Sequence, residues 1–367
     1  MQIAIVGLTG SGKTTVFNTL TRGHAETGGF GGFTMNVGVV KVPDPRLDRL
    51  AAIFKPKKIV QADVTYADLP APPPSTEGHV GTEELPADHL ARLRDSDALL
   101  HVVRAFENPS MPHPDGSVDP GRDLERLDLE FILADLAMVD RRLERLASSG
   151  RHGTPAEREA NEREEAILRR LKPVLDAGGP IRDAGLTDED AKAIRGFRFL
   201  TEKPVLVLLN IGESDIAAAA ALVERIRGGY PHQHALVDAL SARIEMELGE
   251  LEPGEAGAFM AELGIAESGL DRVIGLSYRL LGLISFLTAG PDEVRAWPIP
   301  SGSTAVDAAA AIHTDLAKGF IRAETVAYED LLELGSMAEA RKAGRLRSEG
   351  KTYQVRDGDV LEILFSK

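Results

Sequence analysis

The stretch Gly7-Leu8-Thr9-Gly10-Ser11-Gly12-Lys13-Thr14 follows the spacing G-x-x-x-x-G-K-T. Before it, Met1-Gln2-Ile3-Ala4-Ile5-Val6 is apolar and β-branched and predicts a buried strand; after it, Thr14-Thr15-Val16-Phe17-Asn18-Thr19-Leu20 predicts a helix. A strand, a glycine-rich loop and a helix in that order make a P-loop. Glycines at 7, 10 and 12 let the backbone take φ > 0, so that successive N–H groups converge on an oxyanion, and the positive end of the helix dipole adds to their field. Lys13 is then expected to bridge the β- and γ-phosphates of a nucleotide, and the Thr14 hydroxyl to take a position on Mg²⁺.

Composition sets the limits around this loop. A chain of 367 residues is long for one core and predicts two or three domains. A net charge of −15 argues against a protein that coats nucleic acid, and no DNA partner is expected, although a local basic patch is compatible with it. With no cysteine there is no disulfide, thiolate zinc site or cysteine nucleophile, which fits a reducing cytoplasm. The chain enters its first strand without a basic leader and has no apolar run of membrane-spanning length, so neither a secretory signal nor a membrane location is expected.

Further along, Gly28-Gly29-Phe30-Gly31-Gly32-Phe33 precedes Thr34, which is either the switch threonine that completes the Mg²⁺ shell when a γ-phosphate is present or an ordinary loop residue. Ile59 to Asp68 alternates weakly and reads as a strand that ends on Asp68, a candidate for holding Mg²⁺ through water. In Leu69-Pro70-Ala71-Pro72, Ala71 stands where a switch protein has glycine, and no glutamine follows to orient a water. Ala98 to Arg104 and Lys203 to Asn210 are continuous apolar runs of the kind found in parallel sheets, and His101 within the first reads as a core histidine. Between them, Leu129, Ile132, Leu136, Val139, Leu143 and Leu146, then Ala160, Ile167, Leu171 and Val174, predict the seam of an antiparallel helical hairpin inserted into one α/β domain.

The second run delivers Asn210-Ile211-Gly212-Glu213 to the C-terminal edge of the sheet, where open α/β sheets bind ligands. A guanine site has Asn-Lys-x-Asp here. The chain has Ile211 for the lysine and Glu213 for the aspartate; adenine offers an acceptor where guanine offers a donor, and Asn210 is left to read the amino group. Ser241-Ala242 is a loop of the type that backs a base. From Leu283 onward, short strands around one helix suggest a small α+β module, and Arg341, Lys342, Arg345, Arg347 and Lys351 form a basic cluster there that is either a solvated face or an RNA contact.

Taken together, Val42-Pro43-Asp44-Pro45-Arg46-Leu47-Asp48, His101 to Asn108, Ser241 to Glu245 and the stretch 286–322 resemble the YchF (Obg-like ATPase) family, and the likeness runs through almost the whole chain. The loop departs from that family's Gly-x-Pro-Asn-x-Gly-Lys-Ser at Thr9, Gly10 and Thr14. The resemblance implies an α/β fold: a Ras-like P-loop NTPase domain with a mostly parallel sheet over 1–121 and 201–282, an inserted coiled-coil arm over 122–200, and a C-terminal β-grasp (TGS) domain over 283–367. It also implies ATP and Mg²⁺, association with the ribosome or its RNA, and a non-glutamine residue, here Pro72, at the catalytic position.

The expected nucleotide site is Thr9, Gly10, Ser11, Gly12, Lys13, Thr14 and Thr15 on the phosphates, with Asn210, Ile211, Glu213, Ser241 and Ala242 near the base. Lys13 and Thr34 are the expected catalytic residues, and Thr14, Thr34 and Asp68 the expected metal site. The expected activity is slow ATP hydrolysis by a cytoplasmic, monomeric switch protein; GTP as the nucleotide, or an adaptor that senses nucleotide without hydrolysing it, are the alternatives.

Overall fold

The described residues form twelve strands, the first, fifth and sixth of them apolar runs buried almost throughout. In order these are β1 (Gln2–Val6), β2 (Asn36–Lys41), β3 (Lys58–Val60), β4 (Asp63–Asp68), β5 (Ala98–Ala105), β6 (Val205–Ile211), β7 (Ala235–Leu240), β8 (Leu283–Ala289), β9 (Glu293–Pro300), β10 (Phe320–Ala327), β11 (Arg347–Glu349) and β12 (Asp359–Phe365). The structure is a computed structural model that describes residues 1–23, 35–69, 86–149 and 154–366. Thr34 and the segment 70–72 lie outside the described residues. Among the described residues no helix is long and apolar enough to cross a membrane.

The chain divides into two compact units, residues 1–38 with 65–270 and residues 39–64 with 271–367. In the first, a 6-stranded sheet runs β2-β4-β1-β5-β6-β7, and β4, β1, β5, β6 and β7 pair in parallel. Every residue of β6 is buried, as expected of a central parallel strand covered on both faces. The register brings Arg104 opposite Asn210 and Asn210 opposite Leu240. The C-terminal ends of β1, β5, β6 and β7 therefore share one edge, and the loops that leave it carry Gly7, Phe106, Gly212 and Ser241.

The inserted helices are Pro120–Ser149 and Pro155–Asp176. The second starts with a capping box, Thr154 and Glu157 satisfying each other's backbone N–H. The expected seam is only partly realised. Ile132, Val139, Ile167, Leu168, Leu171 and Leu175 are buried together with Leu136, Leu143 and Leu146 against them, whereas Leu129 is 51% exposed and Ala160 is exposed. The reason is that the first turns of the long helix serve another core: Leu124, Leu127 and Phe131 pack with the β-sheet residues Val103, Leu209 and Val237, so the face that carries Leu129 turns to solvent.

The hairpin is fastened to the sheet unit by Asp135, whose side chain has no exposure. It accepts from Arg94 Nη1 (2.7 Å), Leu200 N (3.2 Å), Thr201 N (2.8 Å) and Thr201 Oγ1 (2.9 Å).

In the second unit the sheet order is β11-β10-β12-β8-β9-β3, with β12 parallel to β8 and the helix Ala305–Ile312 supplying Ala305, Ala308 and Ala309 to the core. Residues 39–64 belong here by contact, although the sequence reading kept them in the segment 1–121. The predicted strand 59–68 breaks at Gln61-Ala62: β3 pairs in parallel with β9, while β4 pairs with β1. Asp44 caps the helix Pro45–Phe54, and Arg46 forks onto Asp44 (2.8 Å) and Asp357 (2.8 Å), which itself accepts from Ser285 N (2.8 Å). The Pro-Asp-Pro-Arg segment is thus a structural tie within this unit. The basic cluster near its end is largely neutralised: Arg341 pairs with Glu324, Lys342 with Glu339 (2.7 Å), Arg345 with Asp330 (3.8 Å) and Arg347 with Asp359 (3.3 Å). That favours the solvated face over the RNA contact.

Replacing Asp135 by Ala strands two buried backbone N–H groups and the Arg94 guanidinium, and is expected to lower stability by about 3–5 kcal/mol. Urea melts of the two proteins measure it; a loss under about 1 kcal/mol would show that the hairpin is held by its apolar seam instead.

Candidate nucleotide site

Gly7 leaves β1 at φ 151°, and a Cβ there would run into the Val102 carbonyl of β5. Only glycine lets the loop pass this close to the neighbouring strand. Gly12 caps the helix Lys13–Thr21 in the left-handed region, φ 91° and ψ 21°, and a Cβ on it would collide with the Asn210 amide. The loop is thereby held at the start of the helix, where the dipole is positive and favours an anion. Lys13 folds back over it, its Nζ donating to the carbonyls of Gly7 (2.7 Å) and Leu8 (3.0 Å). Thr9 is exposed, Gly10, Thr14 and Thr15 are half-buried, and Ser11 is buried with its hydroxyl in no hydrogen bond.

Thr14 Oγ1 donates to Asp68 Oδ2 at 3.0 Å. Asp68 is 1% exposed, and its Oδ1 is buried in no hydrogen bond. Burial pushes its carboxyl above the usual range, against the Thr14 hydrogen bond and smaller pulls from the Lys13 charge and the Asn36 amide. A carboxylate with a spare buried oxygen, bonded to a hydroxyl at a helix N-terminus, has the donor set that Mg²⁺ takes, and the residues present fit that ion. Thr34, the third residue of the expected metal site, lies outside the described residues.

Asn210 is buried, and its side chain is a clamp: Nδ2 donates to Ser11 O (3.0 Å), and Oδ1 accepts from Ala242 N (3.1 Å). It ties the P-loop to the loop after β7. Ile211 belongs to the apolar core beneath the sheet edge, where a charged and unpaired lysine would be costly. Glu213 is exposed at the start of a short 3₁₀ turn, Glu213–Ala218. Ser241 precedes the helix Ala242–Glu250 without capping it through its side chain, and Ala242 is buried. In the same helix Glu245 accepts from Gly269 N (2.7 Å) and Ser268 Oγ (3.2 Å), so that the Ser-Ala-Arg-Ile-Glu segment holds the start of the helix Gly269–Leu280.

His101, the core histidine of β5, is fully enclosed; burial, with the Lys13 and Arg182 charges, pushes it down to about 3. It is neutral at physiological pH and bears no charge toward a phosphate.

Two features went unmarked in the sequence. Arg104, the last residue but one of β5, lies beside the loop and is 2% exposed. His113 makes a buried 2.8 Å contact with Asp123. His113, Asp115 and Asp123 lie close enough together to suggest a cation site, but Arg122 reaches Asp123 (2.9 Å) and Arg126 reaches Asp115 (3.2 Å), which already balance the carboxylates. A charged residue near the end of a buried strand at the binding edge was the available signal for Arg104.

With this geometry in view, comparison with known proteins is direct. A family model described as a 50S ribosome-binding GTPase matches residues 2–139, and a model for the YchF-GTPase C-terminal domain, described as a protein of unknown function, matches residues 283–366. The chain is 41% identical over 370 residues to the ribosome-binding ATPase YchF of Bacillus subtilis, covering 100% of this chain and 99% of that protein. It is 39% identical over 367 residues to the protein of the same name from Escherichia coli O157:H7, with the same coverage. Its fold matches the structure of the Schizosaccharomyces pombe YchF GTPase with a TM-score of 0.85 at 29% identity, covering 99% of this chain and 97% of that one.

Two outcomes follow from the geometry. Replacing Asn210 by Ala leaves the Ser11 carbonyl and the Ala242 N–H without their partner and is expected to cost about 1–3 kcal/mol; thermal or urea melts of the nucleotide-free protein measure it, and an unchanged midpoint would show that the clamp carries no load. Because the folded His101 titrates near 3 and the unfolded one near 6.5, only the unfolded chain gains a proton as pH falls between those values, so stability drops with acidification. Between pH 7 and pH 5 the wild type is expected to lose about 2 kcal/mol more than His101→Leu; equal losses in urea melts would contradict the buried neutral imidazole.

Proposed function

The chain belongs to the YchF family of P-loop proteins, and on that premise we propose that it binds ATP with Mg²⁺, hydrolyses it slowly to ADP and phosphate, and acts as a nucleotide-dependent switch on the ribosome in the cytoplasm. The observation that carries this reading is the closed loop around Lys13: left-handed glycines at 10 and 12, an ammonium resting on the Gly7 and Leu8 carbonyls, and Thr14 bonded to Asp68.

On binding, the Lys13 ammonium exchanges two carbonyl oxygens for the β- and γ-phosphate oxygens, a gain in charge complementarity. Thr9, Gly10, Ser11, Gly12, Thr14 and Thr15 wrap the phosphates. Thr14 and Asp68, with Thr34 from the switch segment, would hold Mg²⁺, which would supply positive charge to the β- and γ-phosphates. A water then attacks the γ-phosphorus, the bond to the β–γ bridging oxygen breaks, and ADP leaves. With Pro72 where a Ras-type enzyme has glutamine, the attacking water lacks an orienting amide, and turnover is expected to be slow until the ribosome completes the site.

The preference for ATP rests on the base edge and on kinship. Ile211 is committed to the core and cannot lie along a purine as the lysine of a guanine site does. Glu213 is exposed at the position of the guanine-reading carboxylate, and a carboxylate has no donor to accept from on adenine at that edge. The bacterial relatives at 41% and 39% identity bear the name ATPase. The name of the yeast structure, a GTPase, keeps GTP as the competing nucleotide.

Calorimetric titration with ATP·Mg²⁺ and GTP·Mg²⁺, followed by phosphate release with and without ribosomes, tests this. ATP should bind at least about tenfold tighter than GTP, about 1.4 kcal/mol or more, and release should rise on ribosomes. Lys13→Ala should abolish saturable binding. Tighter binding of GTP would overturn the base assignment, and wild-type affinity in the Lys13 variant would overturn the site itself.

A further inference from the structure

Arg104 is a buried cation with too few partners. It stands one residue before the end of β5, in register with Asn210, and is 2% exposed. Its Nε donates to the Phe106 carbonyl (3.1 Å) and its Nη2 to the Met111 carbonyl (2.8 Å), and its guanidinium lies 4.9 Å from the centre of the Phe106 ring. These neutral groups aim the side chain but do not compensate its charge. Among the described residues it has no ion pair, and Nη1 is buried in no hydrogen bond.

Where Nη1 points decides what it is for. A Cβ built on Gly10 would stand 3.4 Å from it, and Gly10, at φ 78°, belongs to the loop whose amides converge on the phosphate site. An uncompensated guanidinium held away from water is costly and persists where something offsets it. The adjacent loop is built for an anion, and a phosphate group offers the planar fork of an arginine its strongest acceptors. If the residue only fastened the loop after β5, a neutral donor would serve without the penalty.

We propose that Arg104 contacts the phosphate chain of the bound nucleotide through Nη1, alongside Gly10. It is a binding residue that supplies the positive charge which Lys13 alone leaves incomplete, and it couples the loop 106–111 to occupancy of the site. This rests on the nucleotide-binding reading above. Removing the charge while keeping the length, as in Arg104→Met, should then weaken the complex and not the empty protein.

The test compares wild type, Arg104→Met and Arg104→Lys by calorimetry with ADP and ATP·Mg²⁺ and by melting with and without nucleotide. Arg104→Met should bind ADP about 10- to 100-fold more weakly, melt without nucleotide no lower than wild type, and lose most of the rise in melting temperature that nucleotide adds. Arg104→Lys should recover part of the affinity. Wild-type ADP affinity in Arg104→Met, or a variant whose main defect is a lower melting temperature without nucleotide and whose nucleotide-induced rise is intact, would overturn the proposal while the nucleotide site stands. Absence of binding by the wild type would instead bring down the site reading and this inference with it.

Discussion

A triphosphate carries its charge in a small volume, and the fold is arranged to meet it with backbone amides before any side chain acts. That requires a loop pinned from every side in a conformation that ordinary residues avoid. Gly7 lies against the Val102 carbonyl, Gly12 against the Asn210 amide, and Asn210 Nδ2 holds the Ser11 carbonyl. The parallel order of β4, β1, β5, β6 and β7 brings those anchors to one edge. Without preorganisation the amides would have to be ordered at the moment of binding, and much of their attraction would be spent on loop entropy.

The electrostatics are local rather than global. The chain as a whole carries −15, yet the site gathers Lys13, Arg104 and a helix N-terminus, with Asp68 buried behind them. On the proposed reading, a concentrated positive field at one edge suits a small polyanion on a chain that is acidic as a whole. In the second unit the opposite policy holds: the basic residues near 341–347 are matched by acids, and Arg46 is committed between Asp44 and Asp357.

The parts legible in the sequence were those with a short-range physical code. Glycine spacing gave the P-loop, unbroken apolar runs gave β5 and β6, and heptad periodicity gave the hairpin. Where competing partners decide, the code failed. Leu129 keeps the heptad but lies on a helix whose first turns face the sheet core through Leu124, Leu127 and Phe131. The run 59–68 reads as one strand, yet its halves join different sheets, because pairing is a long-range choice that alternation cannot express. Asn210 was identified as a site residue by position, but its role as a clamp depends on Ser11 and Ala242, far apart in the chain. Arg104 looked like the end of a strand until its unpaired nitrogen was seen beside Gly10.

The claim on which everything else depends is that the amides of residues 7–15 close on a phosphate chain. Hydrogen exchange of the peptide spanning that loop, followed with ATP and Mg²⁺ and again with adenosine, reads this directly. Protection should rise by about tenfold or more with ATP and stay unchanged with adenosine. Equal exchange in all conditions, at ATP concentrations that saturate any binding seen by calorimetry, would mean that the nucleotide lies elsewhere and that the loop is only a relic of its fold.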